Sequence, residues 1–284
     1  MSYKKILTVQ DISCVGQCSL TVALPILSVC GLETCILPSA ILSTHSVGFQ
    51  GYAFRDLTDD MPKIQKHWQR EGIEFDAIYT GYLGNIKQID HVKQIFSSMG
   101  KSECIRFVDP VMADSGILYP GFDETYVEAM KDLCRSADVI LPNIAEACLL
   151  TGVDYREEYD KSYVEGMVQK LSEFGPKSII LTGVGYAPEK TGVVIYENNL
   201  LHYYEHEKIR TTCHGTGDIF ASVFVGAVMN GLCTAQAAKV AADFTLLCIV
   251  NTQEDKSHWY GVKFETALKD LVWSLDNSAK QPLR

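Results

Sequence analysis

Short apolar runs rich in β-branched residues alternate along the chain with stretches whose apolar positions recur at helical spacing. Ile6 to Val9, Thr34 to Leu37, Ala77 to Thr80, Ile105 to Val108, Val139 to Leu141 and Ser178 to Thr182 read as strands ending in Pro, Gly or Asp. Gln17 to Cys30, Met61 to Glu71, Ile86 to Met99, Asp123 to Cys134, Ile144 to Leu150 and Val164 to Phe174 read as the helices between them. Right-handed crossovers return each strand beside its predecessor, so the alternation predicts an α/β fold with a mainly parallel sheet covered on both faces. Ligands in that architecture bind at the carboxyl ends of the strands.

Two segments break the alternation. Gly192 to Tyr204 holds two strand-like halves around Asn198-Asn199, a pair that tolerates positive φ, and reads as a β-hairpin at a sheet edge. Ser39 to Asp60 is rich in Ser, Thr, Gly and aromatics without a firm period, and is a candidate mobile lid. Thr234 to Val250 is Ala-rich and apolar on more than one face, as a buried helix is. The polar tail Asn277 to Arg284 is expected to fray. With no repeat or linker, one domain spanning 1–284 is expected.

A chain of 284 residues with 47% hydrophobic and 21% charged composition can bury a sizeable core. Its formal charge of −10 argues against sustained nucleic-acid binding. No run approaches the ~18 apolar residues of a membrane span, and Met1 to Lys5 leads straight into the first strand, so a cytoplasmic protein is expected. The ten cysteines form no C-x-x-C pair and read as reduced, largely buried thiols. Cys213 is set apart, because it precedes a glycine turn where a helix N-terminus would lower a thiol pKa. His202 and His206 lie four apart in a proposed strand, where that spacing does not make a zinc pair.

The chemistry concentrates where strands end. His214-Gly215-Thr216-Gly217-Asp218 joins a glycine-rich turn to an apolar helix, an arrangement that offers backbone N–H groups and the helix dipole to an anion, with one carboxylate beside it. Such a carboxylate can orient a hydroxyl and take its proton late in phosphoryl transfer. The plainer reading makes Thr216 an N-cap and Asp218 a complement to the dipole. Asp109-Pro110-Val111-Met112-Ala113-Asp114 puts two acids on a strand-end loop, able to hold Mg²⁺ against phosphates or to bond their own turn. Pro142-Asn143-Ile144-Ala145-Glu146 offers a carboxylate in a similar place and also fits a variant capping box. Thr80-Gly81-Tyr82 and Thr182-Gly183 end strands as well. His45 and His214 could lie near a ligand or be satisfied loop histidines.

In this order the pieces resemble the pyridoxal (vitamin B6) kinases of the ribokinase-like superfamily, over roughly Lys4 to Val250. The resemblance implies a three-layer α/β/α sandwich, usually dimeric, that phosphorylates the 5′-hydroxymethyl group of pyridoxal, pyridoxine or pyridoxamine with ATP and Mg²⁺, and commonly uses potassium. It implies Asp218 as catalytic base and Gly215, Thr216 and Gly217 as anion hole. Asp109 and Glu146 would serve the metal, with Asn143, Glu146, Thr182 and Asp114 on the nucleotide side. Ser46 and Tyr82 would line the pyridine pocket under the flap, with His45 nearby. Two departures stand out. Asp11 occupies a place where the family often has a serine touching the ring, which leaves the vitamer open. His214-Gly215-Thr216-Gly217 also resembles the hydroxymethylpyrimidine kinases of thiamine synthesis, which often carry cysteine where this chain has Asp218.

Overall fold

Each strand of the central sheet sends alternate side chains to opposite sides, and that alternation builds two separate cores. The computed structural model describes residues 3–209 and 214–278. Its elements in chain order are β1 (Lys5–Ser13), α1 (Leu20–Val29), β2 (Glu33–Leu42), β3 (Phe54–Asp56), α2 (Met61–Arg70), β4 (Phe75–Thr80), α3 (Ile86–Ser98), β5 (Gly100–Val108), β6 (Ala113–Asp114), β7 (Ile117–Leu118), α4 (Glu124–Arg135), β8 (Val139–Ile140), α5 (Ile144–Thr151), α6 (Lys161–Ser172), β9 (Ser178–Val184), β10 (Lys190–Glu197), β11 (Leu200–Glu207), α7 (Thr216–Met229), α8 (Thr234–Thr252) and α9 (Leu268–Ser278). Ile6, Ala77, Phe107, Val139, Ile180 and Val193 join the core under α1, α7, α8 and α9. Leu7, Ile78, Val108, Ile140, Ile179 and Val194 join the core under α2 to α6. Helices therefore cover both faces, as an α/β/α sandwich requires.

The nine-stranded sheet runs β11-β10-β9-β8-β5-β4-β1-β2-β3. Pairs from β2 to β9 are parallel, while β3 and the β10–β11 hairpin add antiparallel edges. The hairpin turns at Asn198 and Asn199, both at positive φ (53° and 62°), the backbone that a two-residue turn of matching twist requires. From β1 the order steps one way to β2 and the other way to β4, so a crevice opens at the carboxyl ends of these strands.

Several expectations need correction. Ser39 to Asp60 is not irregular throughout: Ser39 to Leu42 continues β2, and Phe54 to Asp56 pairs with it antiparallel, leaving 43–53 and 57–60 as loop. All three residues of β3 are exposed, so it has no buried face to give a period. The first helix begins at Leu20 rather than Gln17, because Ser19 holds φ 53° and ψ −128°, outside helical space. Thiols are reduced among the described residues, but not all are sheltered, since Cys14 is exposed. Cys213 and the tail beyond Ser278 lie outside the described residues. Among the described residues no helix is long and apolar enough to cross a membrane.

Candidate active site

The N-terminus of α7 points its first turn into the crevice. Gly215 stands at the N-cap in the left-handed region (φ 77°), and no side chain caps the helix. Thr216 is thus the first helical residue and not the cap. The free N–H groups of that turn are the ones an anion would meet. A Cβ at Gly215 would sit 1.8 Å from the carbonyl oxygen of Gln17, so close backbone contact requires glycine there. Gly217 differs, because a Cβ built on it meets nothing within 4 Å. Gly217→Ala should therefore leave stability unchanged and lower kcat by about tenfold, through obstruction of the incoming phosphate. Parallel melting and turnover measurements check this, and full activity would refute the anion-hole assignment.

Asp218 lies on the same turn, partly open to the crevice. Burial pushes its carboxyl up to about 7, Asp11 adds to the rise, and the backbone N–H of Ser19 opposes it by hydrogen bonding. A carboxylate titrating there is suited to proton transfer near neutral pH.

Asp11 occupies an irregularity in the β1–β2 register between Gln10 and Ile12, where local distortion re-aims side chains. It is almost wholly buried, and the Ser13 hydroxyl donates to it at 3.1 Å. Burial raises its carboxyl above the ordinary range, while hydrogen bonds from the Ser19 and Ser13 side chains pull against that rise. Ser19 therefore serves both acids, its N–H toward Asp218 and its side chain toward Asp11. Its φ of 53° with ψ of −128° is backbone that favours glycine, worth about 1–3 kcal/mol of strain, concentrated between two acids.

Tyr82 is half-buried beyond the end of β4, in the field of Asp11, and burial with that charge lifts its phenol to about 12. Its ring lies 5.7 Å from Phe122. His45 is buried, and its Nε2 lies 2.7 Å from the Tyr260 carbonyl. A carbonyl only accepts, so Nε2 carries the proton, and in the neutral ring Nδ1 is a lone-pair acceptor. That Nδ1 is buried without a partner. Ser46 is exposed on the flap.

A second group of acids gathers at the ends of β5 and β8. Asp109 is buried, and burial, Glu146 and Asp218, in that order, push its carboxyl well above the usual range. Glu146 caps α5 reciprocally with Asn143: the Asn143 N–H donates to Glu146 Oε2 at 2.8 Å, and the Glu146 N–H to Asn143 Oδ1 at 2.9 Å. The Met112 N–H also reaches Glu146 Oε1 at 3.2 Å. Burial raises the Glu146 carboxyl despite these bonds. Thr182 pairs with Asn143 across neighbouring strand ends, and its N–H donates to Pro142 at 2.9 Å. Asp114 is exposed on β6, while the Asn143 amide donates to the Ala113 carbonyl at 2.9 Å and ties this loop to α5.

Among the described residues no three His, Cys, Asp or Glu side chains form a metal cage. Magnesium seldom needs one, since it keeps several waters and takes one or two carboxylates together with phosphates. Two buried, mutually repelling carboxylates at Asp109 and Glu146 suit that mode. A cleft of about 630 Å³ beside this site, lined by Arg55, Asp56, Asn85, Lys87 and Phe122 among others, contains none of these acids.

Sequence reasoning missed Ser19 and the segment 258–261. Backbone φ leaves no mark in a serine. The His258-Trp259-Tyr260-Gly261 run, however, is an aromatic cluster in a polar stretch, a signal that was present.

A profile of the family described as phosphomethylpyrimidine kinase matches residues 28–261. The hydroxymethylpyrimidine/phosphomethylpyrimidine kinase of Bacillus subtilis (strain 168) is 28% identical over 217 residues, covering 75% of this chain and 77% of its own. A Bacteroides thetaiotaomicron protein described as a candidate phosphomethylpyrimidine kinase, solved in a crystal form with pyridoxal, is 35% identical with a TM-score of 0.87, over 100% of this chain and 98% of that one. The pyridoxal kinase of Lactobacillus plantarum is 29% identical with a TM-score of 0.90, over 97% and 99% of the two chains.

Proposed function

The chain belongs to the phosphomethylpyrimidine kinase family, and from that premise we propose that it transfers the γ-phosphoryl group of ATP to the 5′-hydroxymethyl group of a B6 vitamer. The observation that carries this reading is Asp218 on the uncapped first turn of α7, close enough to Asp11 to feel its charge. An aspartate at that point, where the pyrimidine kinases it also resembles often carry cysteine, supports the B6 reading. The pyridoxal-bound Bacteroides structure supports the same acceptor class.

In this reading the acceptor ring lies against Tyr82 beneath the flap. Asp11 and His45 Nδ1 are both acceptors, so they suit a ring that offers donors, such as a 3-hydroxyl or a protonated nitrogen. The hydroxymethyl oxygen attacks the γ-phosphorus, the bond to the β-bridging oxygen breaks, and ADP leaves. Asp218 receives the hydroxyl proton as the new bond forms. The N–H groups of Gly215 to Gly217 receive the phosphoryl charge. Asn143, Thr182 and Asp114 hold the nucleotide side. Asp109 and Glu146 would hold Mg²⁺ through water, and that ion supplies neutralisation of the triphosphate charge.

The second reading, phosphorylation of hydroxymethylpyrimidine, draws on the family description and on the Bacillus relative. The test of kinase activity toward B6 is ADP formation from ATP and Mg²⁺ with each vitamer offered singly. Vitamer-dependent ADP formation is expected, and its absence for all three would overturn the proposal.

A further inference from the structure

The flap does not rest on the site by itself. Phe49 packs on Trp259 with ring centroids 4.7 Å apart and lies 6.2 Å from Tyr260. Gly48 meets the same indole so closely that a Cβ there would stand 2.8 Å from it. The Tyr260 carbonyl takes the His45 Nε2 hydrogen bond at 2.7 Å, and the His45 ring lies 5.0 Å from Phe49 and 5.6 Å from His214. The His45 backbone N–H donates to Val15 at 3.3 Å. Gly261 packs against Gln17, and Gln17 Nε2 donates to Glu265, so the C-terminal end of the aromatic loop is tied to the β1–α1 connection. Three parts of the chain thus converge on His45: the flap, the turn before α7, and the loop 258–261.

We propose that His258–Gly261 is a positioning element for acceptor selection, latching the flap through Trp259 and holding His45 with its buried Nδ1 left free as an acceptor. The latch rests on the kinase reading above for its consequence, but not for its existence. The Tyr260 contact fixes which ring nitrogen carries the proton, and the tilted Phe49–Trp259 contact fixes where the flap sits. The effect belongs to the acceptor side, because the residues assigned to the nucleotide lie on α5, β6 and β9.

Trp259 is the usable handle, since Tyr260 acts through its backbone. Trp259→Ala should raise the acceptor KM about tenfold and leave the ATP KM within about twofold, while Trp259→Phe, which keeps an aromatic face, restores most of the loss. A structural defect would move both KM values together, and either that result or an unchanged acceptor KM would overturn the proposal. Amide hydrogen exchange reads the latch without any substrate: exchange across 43–53 should rise at least about fivefold in Trp259→Ala, and no change there would refute the latch whichever acceptor proves correct. Loss of all acceptor turnover in the unsubstituted protein, with the exchange effect intact, would instead count against the kinase reading alone.

Discussion

Asp218→Asn will lower kcat by about 10² or more while leaving the ATP KM nearly unchanged, because in the proposed reaction it removes a proton acceptor used only as the acceptor hydroxyl reacts. The nucleotide contacts assigned to Asn143, Thr182 and Asp114 do not pass through Asp218, so ground-state binding of ATP has no reason to change. Burial places the Asp218 carboxyl at about 7, and the proposed base works as the carboxylate. Activity should therefore decline as pH falls through about 7, and that acid limb should vanish in the asparagine variant. Stability carries the opposite sign. A folded-state pKa raised above the ordinary 3.8 means that the folded protein holds the proton more tightly, so stability is lost as pH rises toward and through about 7. Asp218→Asn should then melt above the unsubstituted protein at pH 8, as expected where a site trades stability for chemistry. Near-normal kcat, or an acid limb that survives the substitution, would remove Asp218 from the role of base.

Gly215→Ala should be the most damaging small substitution on the turn, costing about 3 kcal/mol. Two effects add. The residue sits at φ 77°, where a Cβ is disfavoured, and the new methyl would stand 1.8 Å from the Gln17 carbonyl oxygen, a backbone atom that cannot rotate away. Relief would require the turn to separate from the β1–α1 connection, which carries Ser19 and hence the hydrogen bonds to both Asp11 and Asp218. A lower denaturation midpoint accompanied by lost turnover is expected. Gly217→Ala, two residues away with open space at its Cβ, should lose turnover alone. If both variants were equally stable, the close packing of the turn on Gln17 would be wrong.

The parts of this architecture that could be read in the sequence are those that obey a period. Interior strands such as β4 and β9 carry apolar runs because both of their faces are buried, and the Asn198-Asn199 turn announced the hairpin through the one conformation it had to adopt. β3 could not be read, because Phe54, Arg55 and Asp56 are all exposed and only their backbone pairing with β2 makes them a strand. The start of α1 lies three residues later than the periodicity suggests, because Ser19 takes positive φ where it bridges to Ile12, and no property of serine announces that. At the site, the acids at strand ends were legible as motifs, whereas their division into two groups was not. Asp11 and Asp218 share Ser19, while Asp109 and Glu146 share a buried field next to the α5 capping box. Only tertiary structure brings 258–261 over the flap from more than two hundred residues away along the chain.

In the proposed reaction this site selects a B6 vitamer as phosphoryl acceptor. The most direct measurement offers pyridoxal and hydroxymethylpyrimidine together at equal concentration with ATP and Mg²⁺, and counts the two phosphorylated products by mass, so that their ratio is the ratio of kcat/KM values. Pyridoxal 5′-phosphate in large excess is the predicted result. A product made mainly of the pyrimidine phosphate would contradict it and assign the pocket to thiamine synthesis.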